Sequence, residues 1–269
     1  MTGDIMEANH VEVRHLTRED MTELREASEQ VYQAGPLLTW TAPVVDTLLT
    51  KFPDGQLCVC IDGKVVGCAF SLIIDYSKFS DEHTYEQIVT GFSFKNHDPN
   101  GDVLYGIEVF IHPEYRGLRL ARRLYDARKE LCENLNLRAI MAGGRMPNYN
   151  QHAGTLSAKQ YIEKVKGKEI HDPVLSFQLA NGFHVRKLLK GYLRGDVESQ
   201  EYATLLEWAN IYYTKSVKLI NAPKAEVRLG LVQWQMRSMA GIEQLFEHME
   251  FFVDAVSDYK SDFYLFPEL

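Results

Sequence analysis

Apolar and polar positions alternate from Val11 to Leu16, the period of a half-buried strand, and Thr17 then opens a helix with Asp20 in its first turn that runs to about Tyr32. Gln56 to Ile61 and Lys64 to Ile74 read as two further strands joined by Asp62-Gly63, a pair that accepts the positive φ angles of a tight hairpin. Asp75 to Asp102 is polar, contains Asp98-Pro99-Asn100-Gly101, and predicts a long loop with some helix near Glu82 to Val89. Lying just ahead of the next strand, that loop is placed to help form an acceptor site. Apolar residues return at Tyr105 to Ile111, Pro113 stops the strand, and Arg122 to Leu135 set Leu124, Ala127, Leu131 and Leu135 at helical spacing. A second strand follows at Arg138 to Gly143, so that strand, helix and strand make a parallel pair. Ser157 with Gln160 three residues on is a capping box, and Pro173 precedes a helix from Val174 to Ala180 that Asn181-Gly182 ends. His184 to Tyr192 reads as a strand.

After Asn221-Ala222-Pro223, which reads as a linker, the pattern starts afresh. Val227, Leu229 and Leu231 alternate as a strand. A helix from Ala240 to Tyr259 lays Ile242, Leu245, Phe246, Met249, Phe252 and Val253 on one face, and Phe263 to Phe266 is an unbroken apolar strand. The class is α/β, with one domain over residues 1–222 and the beginning of another over 223–269.

Candidate chemistry concentrates where the strand ending at Ile111 runs into a basic turn and the helix after it. The first turn of a helix has backbone N–H groups without intrahelical partners and a positive dipole end, so a pyrophosphate is favoured there. Gly117 lets the backbone approach such a group, and Arg116, Arg119, Arg122 and Arg123 surround it, the last two being equally readable as a solvated helix face.

Composition narrows the classes. A formal charge of −8 argues against nucleic-acid binding and suits a cationic small substrate better. No apolar run approaches the roughly 18 residues that span a bilayer, so no membrane role is expected. Cys58, Cys60, Cys68 and Cys132 lack the CxxC spacing of a metal or redox motif and read as buried reduced thiols of a cytoplasmic protein. His152, His171 and His184 have no metal-ligand spacing, and no metal is expected.

The sequence His112-Pro113-Glu114-Tyr115-Arg116-Gly117-Leu118-Arg119-Leu120-Ala121 resembles the signature of the GNAT N-acetyltransferases: Arg or Gln, two residues, Gly, one residue, then Gly or Ala. Arg116 and Ala121 fit the ends of that pattern, whereas Arg119 stands where the middle glycine is usual. A Cβ there makes positive φ costlier, although its guanidinium can itself pair with phosphate. The long amphipathic helix, the strand after it and Asn181-Gly182-Phe183 also fall where this family has them. The resemblance implies a mixed central sheet flanked by helices and acetyl-CoA as co-substrate, attacked directly by an amine in a ternary complex. It further implies that the main chain of Val109 and Ile111 bonds the pantetheine arm while N–H groups of Leu118, Arg119, Leu120 and Ala121 hold the pyrophosphate. Arg116, Arg119 and Arg122 are then phosphate candidates.

Glu108 is the candidate general base, a carboxylate in an apolar strand where burial raises its pKa toward the working pH. The other reading is a strand-edge glutamate paired with an arginine. In the family a tyrosine four residues before the Gly-Phe pair often serves as general acid; here Gln178 holds that place, and Tyr192 is the substitute candidate. The acceptor is a small-molecule amine or a lysine. The alternatives are an acyl-CoA-binding module that has lost turnover, and a bifunctional protein whose main activity is amide or nitrile hydrolysis by its complete C-terminal domain, with the front domain orienting the substrate.

The tail, with LGLVQWQ at one end and Phe266-Pro267-Glu268-Leu269 at the other, is similar to the start of a nitrilase-type carbon–nitrogen hydrolase, an αββα sandwich. That resemblance makes Glu268 the first catalytic residue of an incomplete site, since the family's lysine and nucleophilic cysteine lie far downstream. The segment is therefore expected to hydrolyse nothing by itself. The segment is expected to be disordered, to pack its apolar face on the first domain, or to pair with a second copy of the chain, giving a homo-oligomer.

Overall fold

The computed structural model describes residues 10–32, 40–215, 228–233, 241–257, 261 and 263–266. The chain divides into two compact units, residues 1–215 and 216–269. Asn221, Ala222 and Pro223, expected from the sequence to be a linker, and also Val227 and Glu268, lie outside the described residues.

In the first unit the strands are β1 (Val11–His15), β2 (Gln56–Ile61), β3 (Lys64–Ile74), β4 (Val103–Ile111), β5 (Ala139–Arg145), β6 (His184–Leu189) and β7 (Ala203–Ala209). They form one seven-stranded sheet in the order β1-β2-β3-β4-β5-β7-β6. All pairings are antiparallel except β4 with β5. This is the mixed central sheet flanked by helices that the sequence resemblance implies. The β2–β3 turn takes Asp62 to φ 49° and Gly63 to φ 84°, the left-handed pair that a two-residue hairpin demands.

Helices α1 (Met21–Val31), α2 (Ala42–Lys51) and α3 (Tyr85–Val89) accompany the first strands, and α4 (Leu120–Asn134) makes the crossover that a parallel pair requires. Two more, α5 (Ala158–Lys166) and α6 (Leu175–Ala180), follow β5. One buried cluster joins Leu24, Trp40 and Leu48 to Phe70, Tyr105 and Tyr192. Another joins Tyr125 and Cys132 to Leu104, Tyr161 and Leu175. β3 is buried at every position after Lys64, so its side chains pack on both faces of the sheet, which explains its continuous apolar run.

Several boundaries differ from the sequence reading. Thr17 caps a single 3-10 turn over Arg18–Asp20, whose Asp20 carboxylate bonds back to the Thr17 amide at 2.8 Å, and the α-helix starts only at Met21. Helix α4 begins at Leu120, two residues before Arg122, because Arg119 takes the left-handed cap. Tyr192 is not on a strand: β6 stops at Leu189 and Tyr192 sits in the loop beyond it. Helix α2 and strand β7 went unread. The first is short and contains Val44-Val45 and Thr47, β-branched residues that weaken a helical signal; it forms because Val45, Leu48 and Leu49 are buried.

The second unit has strands β8 (Leu229–Leu231) and β9 (Phe263–Leu265) paired in parallel, with α7 (Ile242–Ser257) between them in sequence. On α7, Leu245, Met249, Phe252 and Val253 are half-buried, while Ile242 and Phe246 are exposed. Among the described residues no helix is long and apolar enough to cross a membrane.

Candidate functional site

The site begins with an irregularity in β4. Phe70 pairs with Glu108 while Ser71 pairs with Gly106, so Ile107 is an extra residue that bulges from the ladder. A bulge bends its strand. The parallel pairing of β4 with β5 accordingly runs only from Val103↔Ala139 to Gly106↔Ala142. Beyond that point β4 stays on β3 as far as Ile111↔Gly67, and β5 stays on β7 as far as Arg145↔Ala203. The two strands therefore part, leaving a fork between residues 107–111 and 143–145.

Arg128 of α4 holds the bulge. Its buried guanidinium donates to the carbonyls of Phe70 at 3.0 Å and Glu108 at 2.8 Å, and burial pushes its pKa down. A Cβ at Gly106 would lie 2.8 Å from Arg128 Nη1, so glycine at this place makes room for the arginine.

Glu108 is half-buried at the fork. Three donors converge on its carboxylate: the Tyr32 hydroxyl at 2.8 Å, Trp40 Nε1 at 2.9 Å and its neighbour's amide, Val109 N, at 2.9 Å. Burial raises the pKa, against those hydrogen bonds and the more distant Arg145, which all favour the charged form. Among the described residues Glu108 has no ion-pair partner, so the strand-edge salt bridge weighed from the sequence is absent. Since the Val109 N–H is engaged by Glu108, the group Val109 keeps for a ligand is its carbonyl. The His112 amide bonds to Val66 of β3 at 2.8 Å. By the two-residue period the amides of Ile111 and Val109 point the other way, into the fork.

Tyr192 lies against the other prong, so close that a Cβ on Gly143 would overlap its ring. It is buried, its pKa is raised by burial, and its hydroxyl is 3.1 Å from that of Tyr105. Gln178, in the place of the family's tyrosine, is also buried, and its amide nitrogen reaches the Tyr125 hydroxyl at 3.4 Å.

At the end of β4 the chain makes the basic turn that heads α4, a candidate anion cradle. Gly117 has φ 87° with nothing within 4 Å of a would-be Cβ, and Arg119 has φ 59° as the cap of α4. The amides of Leu118, Arg119, Leu120 and Ala121 donate to no backbone carbonyl among the described residues. Arg116, Arg119, Arg122 and Arg123 are all exposed, and none forms an ion pair among the described residues. Amides without backbone partners, next in sequence to exposed arginines, suit an anion such as a pyrophosphate. No group of three His, Cys, Asp or Glu able to hold a metal occurs among the described residues. The four cysteines are buried and unpaired in disulfides, with the Cys132 thiol pushed up to about 12 by burial.

A mixed sheet that forks at its parallel pair, with a candidate anion cradle heading the crossover helix, is the arrangement of the GNAT fold. The chain belongs to this family: residues 11–153 match the acetyltransferase (GNAT) family. It is 34% identical to an uncharacterized N-acetyltransferase, YkwB, of Bacillus subtilis over 76% of this chain and 91% of the relative. It is also 36% identical to the probable hydrolase YhcX of the same organism, over 96% of this chain but 50% of the relative, so it spans half of that protein's length. Among solved structures it resembles the loading GNATL domain of CurA from Lyngbya majuscula, at 25% identity and TM-score 0.64 over 75% of this chain and 98% of that one.

Glu108 stands on the β4 prong of the fork and Tyr192 packs against Gly143 on the β5 prong. Glu268 lies outside the described residues. Sequence reasoning missed Tyr32 and Trp40, which come from sites 76 and 68 residues away, and also Tyr105, His83 and Arg128. Arg128 carried one usable signal, a charge one turn after Leu124 on the apolar stripe of α4.

Proposed function

We propose that the protein transfers an acetyl group from acetyl-CoA to an amine by direct attack in a ternary complex. One observation carries this reading: the bulge at Ile107 opens the sheet beside a carboxylate of raised pKa, on the same strand that ends at the cradle. Leu118, Arg119, Leu120 and Ala121 hold the pyrophosphate through their amides, with Arg116, Arg119 and Arg122 on the phosphates, and Val109 and Ile111 align the pantetheine arm. Glu108 takes a proton from the amine, and Tyr192 stands ready to protonate the departing thiolate. The acceptor is a small-molecule amine or a lysine side chain. Thiol release from acetyl-CoA over a panel of polyamines, amino acids and lysine peptides tests this. Turnover with at least one is expected, and CoA binding without turnover on any amine refutes catalysis in favour of an acyl-CoA-binding module.

We also infer that the segment over 223–269 begins a nitrilase-type domain, with Glu268 as its first catalytic residue. The relative named a probable hydrolase supports this, as do the parallel β8 and β9 with α7 between them. The 269-residue chain should release no ammonia from amides or nitriles. Activity in this chain alone overturns the reading, because no cysteine to serve as nucleophile lies in the segment.

A further inference from the structure

Behind Tyr192 runs a buried hydrogen-bond chain that the reading above does not use. His83 is 3% exposed, Tyr105 0% and Tyr192 3%. His83 Nδ1 lies 2.7 Å from the Ser80 carbonyl, Nε2 lies 2.7 Å from the Tyr105 hydroxyl, and that hydroxyl lies 3.1 Å from Tyr192's. A carbonyl can only accept, so Nδ1 carries a proton. In the neutral ring Nε2 then accepts from Tyr105, and Tyr105 in turn accepts from Tyr192. One carbonyl thus sets the direction of every bond and leaves the Tyr192 oxygen as an acceptor, to which the Gly143 backbone also hydrogen-bonds. A proton added at Nε2 reverses the chain: His83 donates to Tyr105, Tyr105 to Tyr192, and the Tyr192 proton turns outward.

We propose that His83 and Tyr105 form a proton shuttle behind Tyr192 that carries one proton from the attacking nitrogen to the leaving sulfur. The proposal rests on the acetyltransferase reading, and His83 and Tyr105 are positioning residues that act through Tyr192. An alkylammonium loses two protons on becoming an amide. Glu108 takes the first and passes it to solvent, freeing the lone pair that forms the C–N bond. The second remains on nitrogen after the attack. It moves to the Tyr192 oxygen as Tyr192's own proton moves to Tyr105 and Tyr105's to Nε2, leaving an imidazolium. When the C–S bond breaks with its electron pair on sulfur, the same transfers in reverse protonate the thiolate and restore neutral His83. One proton has then reached solvent and one the thiol, with no other reactant.

The surroundings suit a ring that is neutral at rest. His83 faces the rings of Tyr76, Phe79, Tyr105 and Tyr192. Asp81 is the nearby charge, and it is held by the Tyr76 hydroxyl at 2.8 Å and Arg186 at 3.3 Å. Burial lowers the His83 pKa, outweighing the opposite pull of the Ser80 carbonyl and Asp81.

The test follows the imidazole nitrogens of the ¹⁵N-histidine-labelled chain by NMR across pH, with and without CoA, alongside kinetics. The Nδ1–H tautomer is expected, with a His83 midpoint that CoA shifts in the parent but no longer in Tyr105→Phe, which still binds CoA. Tyr105→Phe and His83→Gln should each lower kcat by about tenfold and remove the limb of its pH profile that tracks the His83 midpoint. The glutamine retains hydrogen bonding but cannot titrate. A midpoint that ignores CoA, a shift that survives in Tyr105→Phe, or an intact limb in both variants overturns the shuttle. Absence of turnover with any amine overturns the acetyltransferase reading and the shuttle together, whereas turnover with an unresponsive His83 overturns the shuttle alone.

Discussion

Arg119→Gly separates two effects that this position combines. Arg119 holds φ 59° and ψ 19°, a left-handed conformation that costs an L-residue about 1–2 kcal/mol. Glycine removes that cost but raises the entropy of the unfolded chain by about 0.5–1 kcal/mol. The balance lies between roughly zero and 1.5 kcal/mol in favour of glycine, so Tm of the first unit should stay level or rise by a few degrees at about 2–4 °C per kcal/mol. Ligand binding should move the other way. Arg119 is exposed and has no ion-pair partner among the described residues, so its guanidinium is available to a phosphate. Solvent screening limits such a contact to about 1 kcal/mol, a loss of roughly fivefold in CoA affinity that shrinks as salt rises. Calorimetric titration of CoA at low and high salt, paired with thermal unfolding of the free protein, reads both. Arg119→Asn is the control, since asparagine tolerates the left-handed region without charge. If both variants bind CoA as tightly as the parent, Arg119 contributes only strain and the phosphate role is refuted; a large drop in Tm for Arg119→Gly would refute the strain argument.

Glu108→Gln should lower turnover by about 10² while CoA still binds, and the acidic limb of kcat/KM should disappear, because the base works only above its raised pKa; an unchanged profile assigns the proton elsewhere. Gly117→Val should weaken CoA binding about tenfold without unfolding the protein, since the space above Gly117 is open and only its φ of 87° opposes a side chain; equal affinity by calorimetry would sink the cradle. Arg145 donates to Asp196 at 2.7 Å, and Asp196 is 1% exposed, so Arg145→Met strands a buried carboxylate and should cost about 3–5 kcal/mol in urea unfolding. The paired Asp196 has its pKa lowered by Arg145, so its contribution is present above the unfolded carboxylate range near pH 4 and is lost as pH falls. The stability gap between variant and parent should therefore narrow in acid, and a gap independent of pH would contradict the pairing.

What the sequence determined by itself is local. Alternation and helical spacing located most of β1 to β6, because burial of one face repeats along a strand or helix whatever packs against it. Asp62-Gly63, the Ser157–Gln160 box and Asn181-Gly182 marked turns and caps, whose hydrogen bonds close within a few residues. The turn that carries the proposed cradle was legible for the same reason: the left-handed Gly117 and Arg119 and the start of α4 lie within a few residues of one another. Only the tertiary structure decided the rest. The bulge at Ile107 arises from the register between β3 and β4, so no pattern in β4 alone announces it. The fork exists because β4 and β5 follow different neighbours beyond Gly106 and Ala142. The environment of Glu108 is made by Tyr32 and Trp40, and that of Tyr192 by Tyr105 and His83, residues far apart in the chain that meet because the helices and loops before β4 pack on one face of the sheet. A pKa or a hydrogen-bond direction depends on which groups are near in space, and the chain settles that only by folding.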